Sequence, residues 1–116
     1  MLILYLEDHQ PDAALVTRYV QTTSHQIIVA TNADEARRVM AQQPDMVLVD
    51  VVLKQTREGF NFIRELRESG YAQPIIAVTG LSTPKDLDEC QDTGVDYILN
   101  KPFTINQLAE VIRQYT

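Results

Sequence analysis

Side chains able to do chemistry stand at four places in this chain, each directly after a short apolar run: Glu7-Asp8, Asp50, Thr79-Gly80 and Asn100-Lys101-Pro102. If those runs are strands of one parallel sheet, ligands bind beyond the strands' carboxyl ends, and the four clusters converge on one edge. Carboxylates crowded into one crevice repel each other strongly unless one is protonated or a cation lies between them. An oxygen-only donor set selects a hard divalent ion, so Mg2+ is the natural candidate and Mn2+ a substitute. Glu7, Asp8 and Asp50 would hold it, directly or through water, with the Val52 carbonyl as a backbone ligand. A carboxylate beside such an ion, facing a lysine and a hydroxyl, has the parts to accept a phosphoryl group. Asp50 is then the nucleophile that forms an aspartyl phosphate, while the Lys101 ammonium and the Thr79 hydroxyl each stabilise one phosphoryl oxygen.

The elements that must position these groups follow from periodicity. Apolar runs at 2–6, 27–30, 46–49, 75–78 and 95–99 are too short for helices and nearly continuous in their apolarity, as parallel strands covered on both faces require. Helical spacing fills the intervals. One helix is expected over 11–22 and a second over 33–42, opened by Asn32 as N-cap with Glu35 three residues on. A third starts near Gly59 and stops at Gly70, and a fourth runs from Thr83-Pro84 to Gly94. The last opens with Thr104 and Gln107 in a capping box. Strict alternation of five strands with five helices makes the fold class α/β, a parallel sheet with helices on both faces, for which 2-1-3-4-5 is the common strand order.

Composition sets the outer limits. The 116 residues fit one domain, 1–116, with 45% apolar and 22% charged residues, as expected of a globular chain that folds alone. A net charge of −6 argues against nucleic-acid binding in this chain, because such binding rests on clustered Lys and Arg. No apolar stretch is long enough to cross a membrane, and Met1 leads into the first strand without a targeting segment. That start reads as an independent protein or an N-terminal domain. The single cysteine, Cys90, excludes an internal disulfide and is compatible with a reducing cytoplasm.

Taken together, Glu7-Asp8, Asp50, Thr79-Gly80 and Lys101-Pro102-Phe103, in this order and at these separations, resemble the constellation of response-regulator receiver domains over nearly the whole chain. The resemblance implies the 2-1-3-4-5 sheet of the CheY-like fold and a cis peptide before Pro102. It also implies Mg2+-dependent phosphorylation of Asp50 by a sensor histidine kinase or histidine phosphotransfer protein. Such a protein phosphorylates and dephosphorylates itself and is not a multi-turnover enzyme. Output is expected through the face of the fourth helix, fifth strand and fifth helix, toward an effector or a second copy. Against this stand a pseudo-receiver, a protein-binding module that is never phosphorylated, and a small enzyme. A flavin carrier needs a hydroxyl-rich loop where Glu7-Asp8 stands, and an aspartate-dependent phosphatase wants a second aspartate where Val52 stands.

Three positions depart from the family pattern. Lys54 replaces a proline, and Gly59 follows Asp50 by nine positions where eight is usual, so the 54–58 loop is one residue longer. Ile98 occupies a position that is often aromatic and reports activation, and Tyr97 beside it faces the other way by strand alternation. Val52 and Leu81 flank the phosphoryl position with apolar side chains that cannot hydrogen-bond an attacking water, so autodephosphorylation is expected to be slow. His9 and His25 read as solvated loop residues, Cys90 as a small buried one. Arg37-Arg38 and Arg64-Arg67 read as solvated helix faces, with Arg64 and Glu68 spaced for a surface pair.

Overall fold

The computed structural model describes residues 1–53 and 56–116; the Lys54 position, and with it the path of the longer loop at 54–55, lies outside the described residues. Five strands, β1 (Leu2–Leu6), β2 (Gln26–Ala30), β3 (Met46–Asp50), β4 (Ile75–Thr79) and β5 (Tyr97–Asn100), alternate with α1 (Gln10–Gln21), α2 (Ala33–Val39), α3 (Glu58–Glu68), α4 (Pro84–Asp92) and α5 (Ile105–Gln114). The strands form one parallel sheet in the order β2-β1-β3-β4-β5. This is the expected architecture.

Strand alternation divides the core into two layers. Ile3, Tyr5, Leu48, Ile76 and Leu99 pack against Val16 and Val20 of α1 and Leu108 and Ile112 of α5. Leu4, Leu6, Val49 and Ala77 face Ala36 of α2, Phe62 and Leu66 of α3 and Cys90 of α4. Each fully buried large side chain here contributes about 1.5–3 kcal/mol, which is why the central strands are apolar on both faces.

Local chemistry sets the boundaries. Thr104 accepts from the Gln107 N–H at 3.1 Å while the Gln107 side chain accepts from the Thr104 N–H at 2.8 Å, the reciprocal cap expected. At α2 only the forward half matches: Asn32 accepts from the Glu35 N–H at 2.8 Å, but the Glu35 carboxylate reaches one residue further, to the Thr31 N–H and hydroxyl at 2.7 and 2.6 Å. The α-helix is also shorter than its periodicity, passing into a 3-10 turn over Met40–Gln42 that ends at Gln43 with φ 55°. β5 starts at Tyr97 instead of Val95. Just before it, the Asp96 N–H donates to the Ile75 carbonyl while the Asp96 carboxylate, in place of a backbone carbonyl, takes the Ile75 N–H, both at 2.9 Å.

Arg67 is not on a solvated face. Its guanidinium donates to the Gly94, Tyr71 and Gln73 carbonyls at 2.8–2.9 Å and to Asp96 at 2.9 Å. Arg64 donates to Asn61 at 3.4 Å; no Arg64–Glu68 ion pair occurs among the described residues. Among those residues, no helix is long and apolar enough to cross a membrane.

Candidate functional site

Register brings the polar strand ends together. Leu6 lies beside Val49 and Val49 beside Ala77, so Glu7 and Asp50 come next on adjacent strands. Thr79 pairs with Asn100, and the Lys101 N–H donates to the Thr79 carbonyl at 2.7 Å. Alternation then assigns sides: Glu7, Asp50 and Lys101 share the parity of Tyr5, Leu48 and Leu99, the α1/α5 face, whereas Thr79 shares that of Ala77, on the face of α3 and α4. The Lys101–Pro102 peptide is cis, as the resemblance implied.

Oxygen atoms of Glu7, Asp8 and Asp50 all lie within 4.8 Å of one another. This all-oxygen donor set suits a hard divalent ion. Asp50 is 7% exposed and Glu7 1%, so both charges are largely withdrawn from water. Val52, the predicted backbone ligand, lies alongside, its N–H donating to Asp50 Oδ1 at 3.2 Å. Thr79 is buried, and its hydroxyl oxygen accepts from the Leu81 N–H at 2.9 Å, which leaves the hydroxyl proton free to donate.

Lys101 holds the cluster together. Its ammonium lies 2.6 Å from Glu7 Oε1, 3.0 Å from Asp12 Oδ2 and 3.3 Å from Asp50 Oδ2. Burial, followed by the neighbouring Glu7, pushes the Asp50 carboxyl up to about 7, with Lys101 and the Val52 N–H opposing. For Glu7 burial works against charge too, but hydrogen bonds with Asp50, Lys101 and Tyr5 outweigh it and hold the carboxylate below the usual glutamate range. The two shifts run in opposite directions, so of these two buried carboxylates Asp50 is the one that binds a proton more readily. Lys101 is held above the usual lysine range: burial opposes its charge, but Glu7 and Asp12 prevail.

Three contributors escaped the sequence reading. The Tyr5 hydroxyl donates to Glu7 Oε1 at 2.8 Å from inside the core; it reads as one more apolar strand residue. Asp12, in the first turn of α1, reads as a helix-dipole partner, yet it contacts Lys101 and His9 Nδ1, the latter at 2.9 Å. His9 is thus exposed, as expected of a solvated loop residue, but paired. Gly59 sits so close under Asp50 that a Cβ would lie 2.2 Å from the Asp50 carbonyl oxygen and 2.5 Å from Val51 Cα. The longer spacing has not displaced this glycine from the acceptor's backbone. Leu53 and Thr56 close on each other through backbone hydrogen bonds of 2.8 and 3.2 Å.

At the far end of the sheet's last strand, Ile98 packs against the core on the α3/α4 side. Tyr97 faces the other way, 39% exposed and edge-on to Tyr115 with ring centroids 6.3 Å apart.

Comparison with known proteins agrees with this geometry. Residues 3–113 match the family model of the response regulator receiver domain. The chain is 30% identical to the probable C4-dicarboxylate response regulator DctR of Halalkalibacterium halodurans over 97% of its length, and 26% identical to the sensor histidine kinase RcsC of Escherichia coli K12 over 99%. It spans 50% of the former and 12% of the latter. Among solved structures, the BeF3-activated receiver domain of Klebsiella pneumoniae RstA superposes with a TM-score of 0.89 at 24% identity, covering 99% of this chain and 97% of that one, a likeness of fold. The receiver domain of a Pseudomonas aeruginosa sensor histidine kinase, solved with a magnesium ion coordinated in its active site cleft, matches with a TM-score of 0.86 at 26% identity, covering 98% and 95%.

Proposed function

This chain belongs to the response regulator receiver domain family, and on that premise we propose that Asp50 accepts a phosphoryl group from a phosphohistidine on a sensor histidine kinase or histidine phosphotransfer protein. The observation that carries the proposal is the placement of Asp50 between an acidic oxygen cluster and the Lys101 ammonium, 3.3 Å away, at one sheet edge.

In the transfer an Asp50 carboxylate oxygen forms the new bond to phosphorus as the donor's P–N bond breaks, and the imidazole leaves with the electron pair. Glu7, Asp8 and Asp50, with the Val52 carbonyl, are the residues to hold Mg2+ or Mn2+, which supplies positive charge against the phosphoryl oxygens. Lys101 reaches the same oxygens from the α1/α5 side, and Thr79 donates its hydroxyl proton from the other. The fixed dipoles and charges lower the barrier because they are in place before charge develops. The chain acts as a self-dephosphorylating phosphoacceptor in the cytoplasm and not as a multi-turnover enzyme; its signal passes through the α4/β5/α5 face, where Tyr97 and Ile98 lie.

Incubation with Mg2+ and a small phosphodonor, followed by intact mass, tests this. Wild type gains one phosphoryl group and Asp50→Asn gains none; uptake by neither protein would instead mark a pseudo-receiver. Because half-buried Val52 and Leu81 offer no hydrogen bond to an attacking water, the phosphorylated protein is expected to persist for many minutes, and loss within seconds would contradict that part of the proposal.

A further inference from the structure

We infer that Asp12 is a positioning residue that holds the Lys101 ammonium back from Asp50 and so restrains phosphorylation; the inference rests on Asp50 being the acceptor. An ammonium has three N–H donors, and Lys101 has three carboxylates around it: Glu7 at 2.6 Å, Asp12 at 3.0 Å and Asp50, the most distant, at 3.3 Å. The two contacts that do not involve the acceptor are the shorter ones. Glu7 pulls from inside the sheet, whereas Asp12 pulls from α1, outward along the face that α1 and α5 cover.

The fold makes Asp12 available for this. α1 leaves the site directly after Asp8, so its first turn stands over the edge on the side from which Lys101 enters. The Asp12 carboxylate is held there by His9, whose Nδ1 lies 2.9 Å from the same Oδ2 that faces Lys101. Asp12 is also 29% exposed, so its carboxylate stays within reach of water, and an asparagine of the same shape can replace it. When a phosphoryl group bonds to Asp50, Lys101 must turn its donors toward the new oxygens and give up a share of its contact with Asp12. Asp12 therefore stabilises the state before transfer more than the state during it, and an interaction of that kind slows the step.

The test is a double-mutant cycle on the phosphorylation rate with phosphoramidate at saturating Mg2+, read by intact mass, in wild type, Asp12→Asn, Lys101→Ala and the double variant. Asp12→Asn is expected to react about two- to fivefold faster than wild type, the range a partly exposed ion pair carries. Asp12→Glu returns the rate toward that of wild type, and the double variant reacts at the rate of Lys101→Ala alone. A merely structural role for Asp12 predicts a slower or unchanged Asp12→Asn protein, and either result overturns the inference. A gain that survives in the Lys101→Ala background overturns it as well, because the effect would then be a general loss of repulsion toward the donor. If wild type takes up no phosphoryl group, the acceptor reading itself fails, an outcome distinct from every other one named.

Discussion

The two ends of the sheet handle charge in opposite ways. At the amino-terminal edge one guanidinium, Arg67, meets one carboxylate, Asp96, and three carbonyls, and Asp96 in turn takes the Ile75 N–H, so these two charges complement each other. At the carboxyl-terminal edge, among the described residues, the Lys101 ammonium faces Glu7, Asp12 and Asp50. Both edges are rich in hydrogen bonds; they differ in balance. The first is complete as it stands and joins α3 to the starts of β4 and β5. The second, among the described residues, sets three carboxylates around one ammonium in a place largely shut off from water, and that excess is relieved by a proton, a cation or a chemical change at Asp50. A site meant to respond must be left unbalanced, and the fold confines that cost to one edge.

Gly59→Ala challenges the claim that the imbalance is one of charge and not of loose packing. The new Cβ would meet backbone atoms of Asp50 and Val51 at 2.2–2.5 Å, which cannot yield as a flexible side chain would. The substitution should destabilise by at least about 3 kcal/mol in urea unfolding. A loss below about 1 kcal/mol would show the responsive edge to be soft.

Arg67→Ala comes next. It removes a donor from three carbonyls and the cation from Asp96, which keeps only the Ile75 N–H, and should cost about 2–3 kcal/mol, equally with and without divalent cation. A cost that changes with Mg2+ would mean that the two edges are coupled, and the contrast between them would fail.

Asp50→Asn should act in the other direction. An acid whose folded pKa is raised lends stability that is fully present below its unfolded pKa, about 4, and is lost as pH rises through the folded value, here about 7. Asparagine cannot lose that contribution. Without divalent cation the variant should approach wild type near pH 4 and exceed it by a few kcal/mol at pH 8. A less stable Asn variant at pH 8 would remove the electrostatic account of this edge.

Much of this was legible in the sequence because it depends on periodicity and order. Continuous apolar runs ending in Asp8, Asp50, Thr79 and Lys101 are enough to place the strands and converge the site, since strand-end position is a one-dimensional fact. What escaped depends on three-dimensional approach. Asp12 and Tyr5 belong to residue types with commoner roles in a first helical turn and a core strand, and only the packing of α1 over the edge makes them neighbours of Lys101 and Glu7. Arg67 was misread for the same reason: its partners Gly94 and Asp96 are far along the chain and arrive through β-strand pairing. The shifted start of β5 and the shortened α2 come from side-chain bonds, of Asp96 to Ile75 in one case, and from the left-handed Gln43 in the other, that no hydrophobic pattern records.

The smallest effect expected separates the edges most directly, because a tyrosine hydroxyl at each makes a comparable bond. Tyr71 donates to the Pro44 carbonyl at 2.7 Å and Tyr5 to the Glu7 carboxylate at 2.8 Å. Tyr71→Phe breaks a bond between neutral groups and should cost about 1 kcal/mol at every pH. Tyr5→Phe removes a donor from a buried charge and should cost about 2 kcal/mol at pH 8. That loss should shrink in acid: without the hydroxyl, Glu7 binds a proton more readily in the folded state, so the variant gains relative stability as pH falls through the carboxylate range. Parallel urea titrations of the two variants at pH 5 and pH 8 measure the difference. Equal, pH-independent losses would place both hydroxyls in balanced surroundings, and the carboxyl-terminal edge would then have to find its surplus charge answered elsewhere.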